Sequence, residues 1–351
     1  MKTTFDFLSR CEHEQFCYHH DKQTGLRAFI AVHNTVRGPG LGGTRLWHYD
    51  DLDAAALDAL RLSEGMTYKA AVAGLPLGGG KAVIVADGRE DDPVCRAERF
   101  AAFGAFIDKL GGTYITAEDV GTKPSDMVEI RRNTAHVVGL PAEQGGSGDP
   151  SPVTAYGCLR GIEALVESVF GCHGLDGVHV AVQGLGKVGL PLVRMLLDAG
   201  ASVTAADINP DSVAEARAYG ADIVTVDAIY DVDCDVFSPC ALGATLNDDT
   251  IPRLHARIIA GCANNQLAEA RHGDLLHEMG IVYGVDYAIN AGGLINVYTE
   301  IEGYDAERAR RRAGEIYHTM HRLMQISEME GVSMVRSAAL LADDALKKVI
   351  A

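Results

Sequence analysis

The stretch 178–207 limits the fold of this chain more than any other. Its opening residues, VHVAVQ, are apolar and β-prone and run directly into Gly184-Leu185-Gly186-Lys187-Val188-Gly189. A helical stretch, PLVRMLLDAG, follows, and the next strand, SVTAAD, ends in Asp207. Strand, glycine turn, helix and an acid about 20 residues on follow the order of a βαβ dinucleotide-binding unit. A lone GxGxxG would be weak evidence; here all four parts occur in order. Gly184 permits the tight turn, Gly186 lets backbone approach a pyrophosphate, and Gly189 lets helix and strand pack closely. The helix N-terminus offers N–H groups and a positive dipole end to phosphates. Asp207 can accept two hydrogen bonds from a ribose diol and would repel a 2′-phosphate. Ile208-Asn209 follow it, with no arginine, so the pattern predicts NAD rather than NADP. Leu185, Lys187, Val188, Ile208 and Ala241 are expected as further cofactor contacts.

The rest of the C-terminal half repeats this alternation. Strand candidates are VHVAVQG, SVTAAD, DIVTV, DVFSPCA, RIIAGCA and IVYGVDY, separated by helical stretches. Such alternation implies a parallel sheet covered by helices on both faces. With 351 residues the chain is long for one core, so about two domains are expected. The composition shift at 139–152, GLPAEQGGSGDPSP, marks a hinge or boundary. After it Ser151 is expected to cap a helix with Pro152 at its first position, running to about Phe170 and stopping at Gly171. The first part mixes strands and helices: a strand at 26–34, a Gly/Pro-rich turn at 38–43 (GPGLGG) and a helix over 51–65. A strand at 81–87 follows the loop LPLGGG, then a helix over 93–110 and a strand at 113–117 leading to Glu118-Asp119. Residues 305–327 and 333–350 read as two terminal helices.

Several function classes are disfavoured. A formal net charge of -17 repels phosphate backbones, so nucleic acid is not an expected partner. No apolar run of about 18 residues exists, so no membrane span is expected. The polar N-terminus (Lys2, Asp6, Arg10, Glu12) has no signal-peptide pattern. Eight scattered cysteines without a CxxC pair read as reduced thiols of a cytoplasmic protein. His13, Cys17, His19 and His20 match no zinc spacing, and no metal is expected. The run Arg308, Arg310, Arg311, Arg312 reads as a solvated helix face or subunit contact.

Two lysines and one acid carry the candidate chemistry. Lys69 lies near the end of the first amphipathic helix, and Lys81 follows Gly78-Gly79-Gly80. Beside glycines and apolar neighbours (Leu75, Leu77, Ala82, Val83), Lys81 is expected to be desolvated, which lowers its pKa toward that of a usable base. Asp119 ends a strand, in TYITAEDVGT, where a carboxylate can accept a proton from an ammonium group.

The segments GPGLGGTR, GMTYKAAVAGLPLGGGKAVI, TAEDVGT, GLGKVG, ANNQL and NAGGLINV occur in this order between residue 12 and about 300. Together they resemble the glutamate/leucine/phenylalanine/valine dehydrogenase family, and within it the leucine and valine enzymes. The resemblance implies NAD-dependent, reversible oxidative deamination of an apolar, branched-chain L-amino acid to its 2-oxo acid and ammonia. It assigns Lys69 to the substrate α-carboxylate, Lys81 to activating water against the imine, and Asp119 to proton transfer with the amine. Thr154 and Asn264 would contact the nicotinamide amide and ribose, Asn265 the substrate amino group, and Gly42 and Gly43 would let backbone approach the substrate. The implied fold is α/β with two domains separated by a cleft that closes to expel water. An N-terminal α/β substrate-binding and oligomerisation domain (1–138, with 331–351 packing back on it) precedes a Rossmann-type domain (139–330). A homo-oligomer is implied, a dimer or higher.

Glutamate-specific relatives carry a lysine just before the Gly-Gly pair, where this chain has Leu41, and a serine where it has Val297. With Ala117 and Leu294 these complete an expected apolar side-chain pocket. A γ-carboxylate there would be buried unpaired, at a cost of several kcal/mol. Leucine-type members resemble Ala117 at one position but have Val where this chain has Leu294; phenylalanine-type members tend to have Gly and Leu. The mixed pair keeps an aromatic-preferring enzyme as the alternative. From a different class, an inactive NAD-binding regulator would keep the glycines and Asp207 but could lose Lys69, Lys81 or Asp119, all of which are present.

Overall fold

The computed structural model describes residues 4–348, so the ends of the expected first domain (1–3 and 349–351) and the last residue of the expected helix 333–350 with its neighbour lie outside the described residues. The chain divides into two compact units: 1–149 with 297–305 and 342–351, and 150–296 with 306–341.

The first unit contains α1 (Thr4–Cys11), β1 (Gln15–Asp21), β2 (Leu26–Asn34), β3 (Gly40–Trp47), α2 (Leu52–Val72), β4 (Gly78–Val85), α3 (Pro93–Asp108), β5 (Tyr114–Glu118) and α4 (Pro124–Arg131). The strands form one mixed sheet in the order β1-β2-β4-β3-β5. β2 pairs antiparallel with β1 and β4, whereas β3 pairs parallel with β4 and β5. Strand alternation sorts the core. Phe29, Ala31, Val83 and Val85 pack with Ala55, Ala56, Ala59 and Leu60 of α2 on one face. Ala28, Ile30, Ala82 and Ile84 pack with Phe100, Phe103 and Ile107 of α3 and Met127 and Ile130 of α4 on the other. Both long helices start on side-chain caps: Asp51 accepts from the Ala54 N–H and Asp92 from those of Val94 and Cys95.

The second unit contains α5 (Ser151–Phe170), β6 (His179–Gln183), α6 (Gly189–Asp198), β7 (Ser202–Ala206), α7 (Pro210–Tyr219), β8 (Asp222–Ile223), β9 (Val236–Pro239), β10 (Ile258–Ile259), α8 (Arg271–Glu278), β11 (Val282–Tyr283) and α9 (Asp286–Ile289). Then come α10 (Gly292–Ile301), α11 (Ala306–Gly314), α12 (Ile316–Glu330) and α13 (Met334–Lys347), of which α10 and α13 continue into the first unit. The sheet is parallel throughout, in the order β11-β10-β9-β6-β7-β8. Counted from β6 this is the doubly wound order 3-2-1-4-5-6, which reverses direction between β6 and β9. No helix among the described residues is long and apolar enough to cross a membrane.

Several local expectations are corrected. The segment 38–43 is not only a turn, because Gly40–Gly43 belong to β3, clamped between β4 and β5. A Cβ on Gly43 would lie 2.3 Å from the Glu118 carbonyl oxygen, so glycine here serves close approach rather than bending. α2 runs past residue 65 to Val72, and the expected helix 305–327 divides at Gly314 into α11 and α12. Ser151 is the first residue of α5, not its side-chain cap; Pro150 holds the cap position. The units divide at 149/150 rather than at 138/139. Glu300 explains why: its carboxylate accepts from the N–H groups of Gly139 (2.9 Å), Leu140 (3.4 Å) and Ser147 (2.9 Å), tying the Gly/Pro-rich segment to the first unit.

Candidate active site

Lys81 is the first side chain that β4 presents on the α2 face after its glycines. Gly79, two residues earlier on that face, carries none because a Cβ there would sit 2.1 Å from Thr67 Oγ1 of α2. The helix therefore presses against the start of the strand and walls off Lys81, which is 5 % exposed. Asp119 follows β5 directly, and a turn fixes its backbone. The Asp119 N–H donates to Thr122 Oγ1 (2.9 Å), whose hydroxyl lies 3.1 Å from the Thr44 carbonyl.

β3 lies between β4 and β5, so Lys81 and Asp119 must reach across it to meet. The close packing at Gly43, where a Cβ would come 2.8 Å from Asp119 Cβ, leaves them that room. Lys81 Nζ stands 2.7 Å from Asp119 Oδ2. The same oxygen accepts from Arg45 Nε at 3.1 Å. Arg45 Nη1 donates to Asp58 Oδ2 at 2.8 Å, and Tyr49 Oη donates to that oxygen at 2.6 Å.

The electrostatics follow from this geometry. Burial pushes the Lys81 pKa down, and the attraction of Asp119 offsets only part of that shift. Burial would raise the Asp119 carboxyl, but Lys81 and Arg45 outweigh it and hold the group below the ordinary carboxylate range. An ammonium whose pKa burial lowers thus stands beside a carboxylate whose pKa its two cations lower. Such a pair can pass protons to and from a substrate amine or a water.

Lys69 is half-buried on the last turn of α2. Leu41 and Ala117 are buried in the same unit, on β3 and β5, and Gly42 and Gly43 lie on β3. Val297, on the part of α10 that clusters with the first unit, is half-buried.

The second unit holds the other expected residues. Gly184 follows β6 with φ of +99°, and a Cβ on it would lie 2.6 Å from the Ala241 nitrogen. A Cβ on Gly189, the first residue of α6, would come 2.0 Å from the Gly184 carbonyl oxygen. Gly186 differs: a Cβ there meets no atom within 4 Å. That open backbone beside a helix N-terminus suits a pyrophosphate. Asp207 braces the turn, accepting from the Leu185 N–H at 2.5 Å and the Asn209 N–H at 2.7 Å. Ile208 is exposed. Lys187 is exposed and Val188 half-buried. Thr154, on the first turn of α5, donates its hydroxyl to the Pro150 carbonyl. Asn264 Oδ1 accepts from Asn290 Nδ2 at 2.7 Å. Asn265 is exposed and held in the left-handed region with φ of 52°, a cost that a positioned side chain can justify. Leu294 is buried on the part of α10 within the second unit.

Arg45, Tyr49 and Asp58 carry no individual signal among the motifs named from the sequence. Arg45 closes the motif GPGLGGTR, and its period-2 spacing from Gly43 was the available signal. The N-terminal histidines take structural contacts: His13 Nε2 lies 3.0 Å from both the Leu60 carbonyl and Ser63 Oγ, and His19 stacks on Phe106. In the arginine run, Arg310 lies over the Tyr156 ring.

Comparison with known proteins identifies the family. Residues 13–136 match the family described as Glu/Leu/Phe/Val dehydrogenase, dimerisation domain, and residues 208–348 match Glutamate/Leucine/Phenylalanine/Valine dehydrogenase. A leucine dehydrogenase from Bacillus subtilis is 50 % identical over 98 % of this chain and 94 % of its own length. A phenylalanine dehydrogenase from Caldalkalibacillus thermarum is 44 % identical, over 98 % and 94 %. The crystal structure of L-tryptophan dehydrogenase from Nostoc punctiforme superposes with a TM-score of 0.88 at 43 % identity, covering 98 % of this chain and 99 % of that one. The chain belongs to the glutamate/leucine/phenylalanine/valine dehydrogenase family.

Proposed function

We propose that this chain is an NAD-dependent dehydrogenase of branched-chain L-amino acids. The amino acid, NAD⁺ and water give the 2-oxo acid, ammonium, NADH and a proton, and the reaction is reversible. The observation that carries the proposal is the 2.7 Å contact between Lys81 and Asp119, within a half-buried network of fixed charges. A regulator that only bound a dinucleotide would have no use for a buried ammonium of lowered proton affinity.

Gly184, Gly186 and Gly189 with the start of α6 would hold the pyrophosphate, and Asp207 the adenosine ribose. Thr154 and Asn264 are assigned to the nicotinamide amide and its ribose, with Leu185, Lys187, Val188, Ile208 and Ala241 lining the dinucleotide. When bound, the nicotinamide accepts the hydride from the substrate Cα. Lys69 orients the substrate carboxylate, and Asn265 its amino group, so positioning supplies much of the barrier reduction. Asp119 accepts a proton from the substrate ammonium, which frees the nitrogen lone pair for iminium formation. Lys81 in its neutral form takes a proton from the water that attacks the iminium carbon. As ammonium it then stabilises the carbinolamine oxygen; Asp119 returns a proton to the departing nitrogen and, ionised again, takes the hydroxyl proton as the carbonyl forms and ammonia leaves.

Leu41, Ala117, Leu294 and Val297 are assigned to the substrate side chain. All four are apolar, so a γ-carboxylate would lose its hydration without gaining a partner. The similarity to a leucine dehydrogenase favours an aliphatic substrate, and Leu294 favours an aromatic one as the second reading. One methylene discriminates by only about 1–3 kcal/mol, so a spread of substrates is expected. The match of residues 13–136 to a dimerisation domain supports a homo-oligomer.

The test is NADH formation from each apolar L-amino acid and from glutamate, with NAD and with NADP. Highest kcat/KM for leucine, valine or isoleucine with NAD is expected. A preference for phenylalanine or tryptophan would select the second reading, and absence of turnover with all of them would remove the enzyme assignment.

A further inference from the structure

The proton chemistry proposed above leaves one electrostatic problem, which Arg45 answers. While Lys81 is charged, the Asp119 carboxylate has a counter-ion 2.7 Å away. Each time Lys81 becomes neutral, that counter-ion disappears. A carboxylate as enclosed as Asp119 would then tend to take up a proton itself. The pair would settle with its proton on the wrong partner and no longer accept one from the substrate.

Arg45 is the cation that persists. A guanidinium stays protonated at any pH at which the protein is folded. Its Nε donates to Asp119 Oδ2, the same oxygen that Lys81 contacts. The other side of the guanidinium is anchored, because Nη1 donates to Asp58 Oδ2 of α2 and Tyr49 Oη holds that oxygen too. The guanidinium is therefore held by its own stem on β3 and by Asp58 on α2, with Nε aimed at Asp119 beyond the end of β5. Burial works against the charge of Arg45, but Asp119 and Asp58 more than compensate.

We propose that Arg45, anchored by Asp58 and Tyr49, is a positioning residue that orients the Asp119 carboxylate and keeps it ionised while Lys81 is neutral. The inference rests on the dehydrogenase reading for its purpose, though not for its electrostatics. Arg45 touches Asp119 and not the substrate in this scheme, so it acts through its neighbour. Its positive charge also favours proton release from Lys81, so both members of the pair are pushed the same way.

The test compares Arg45→Gln, Arg45→Lys and Asp58→Asn with the wild type, each checked for folding by circular dichroism. For Arg45→Gln, kcat should fall at least tenfold, and the acid limb of the kcat/KM profile should move up by about one to two pH units, the usual effect of losing an adjacent charge. Arg45→Lys should return the limb to within about half a unit of wild type, with kcat still lowered because lysine lacks the two-pronged fork. Asp58→Asn should lower kcat without moving the limb upward. An unmoved limb in folded Arg45→Gln, or wild-type kcat in both Arg45→Lys and Asp58→Asn, overturns the inference. Should Arg45→Gln not fold, the other two variants decide by the same criteria. The pH dependence of Lys81 acetylation by acetic anhydride, read by mass spectrometry, needs no turnover. Its midpoint should rise in Arg45→Gln, and an unchanged midpoint counts against Arg45. A wild type without turnover would sink the dehydrogenase reading while leaving this labelling result to judge Arg45.

Discussion

Gly186 and Gly189, three residues apart, should respond to alanine in opposite ways. The methyl of Gly186→Ala would meet no atom within 4 Å of the protein itself, and Gly186 is not among the residues with positive φ. Its effect on folding should stay within about 0.5 kcal/mol, and the reduced freedom of the unfolded chain offsets part of any loss. The same methyl occupies the backbone that the proposed pyrophosphate must approach. NAD affinity should therefore fall at least tenfold, or about 1.4 kcal/mol. In Gly189→Ala the methyl would lie 2.0 Å from the Gly184 carbonyl oxygen and 3.1 Å from Cys240 Cβ. Backbone must move, at about 1–3 kcal/mol or more. For domains of this size that lowers the melting temperature by about 2–4 °C per kcal/mol. Thermal melts with and without NAD separate the two effects. Gly186→Ala should melt like the wild type without NAD and lose most of the NAD-induced rise. Gly189→Ala should melt lower in both conditions. Wild-type NAD affinity in Gly186→Ala would refute the placement of the cofactor on this turn.

Two further substitutions probe the cofactor acid and the ion cluster around the buried Arg99. Asp207→Ser should weaken NAD binding and raise the relative kcat/KM with NADP, because it removes the diol acceptor and the repulsion of a 2′-phosphate; unchanged cofactor preference would count against Asp207. Arg99, 1 % exposed, is held by Asp87 at 2.5 Å, and with Arg89 it drives the Asp87 carboxyl far below its ordinary range. A depressed carboxyl contributes stability that is present above its unfolded value near 3.8 and lost as pH falls toward its folded value. Denaturant unfolding between pH 6 and about pH 3 should therefore show a steeper loss for wild type than for Asp87→Asn, and parallel curves would contradict that.

Much of the second unit was legible because its signals are local. Each of the six apolar segments named from the sequence contains one of the strands β6 to β11, and the glycine turn follows β6 as its order implied. β3 was obscured because glycines usually signal loops, and it is the crowding by the Gly80 carbonyl at Gly42 and by Glu118 at Gly43 that explains why a strand carries them. The boundary at 149/150 depended on Glu300, a residue remote in sequence whose carboxylate gathers three backbone N–H groups. In the candidate site, Lys81 and Asp119 stood out through their flanking motifs. Arg45, Tyr49 and Asp58 did not. Their network exists only because α2 lies over the sheet and brings Asp58 to Arg45, and no spacing along the chain encodes that contact.

The most direct measurement is turnover by Lys81→Ala with L-leucine and NAD, alongside NAD binding by fluorescence titration. kcat should fall by about a hundredfold to ten-thousandfold, the usual worth of a general base, while NAD affinity stays within about twofold. Turnover near that of the wild type, or loss of NAD binding in step with activity, would contradict the role given to this lysine.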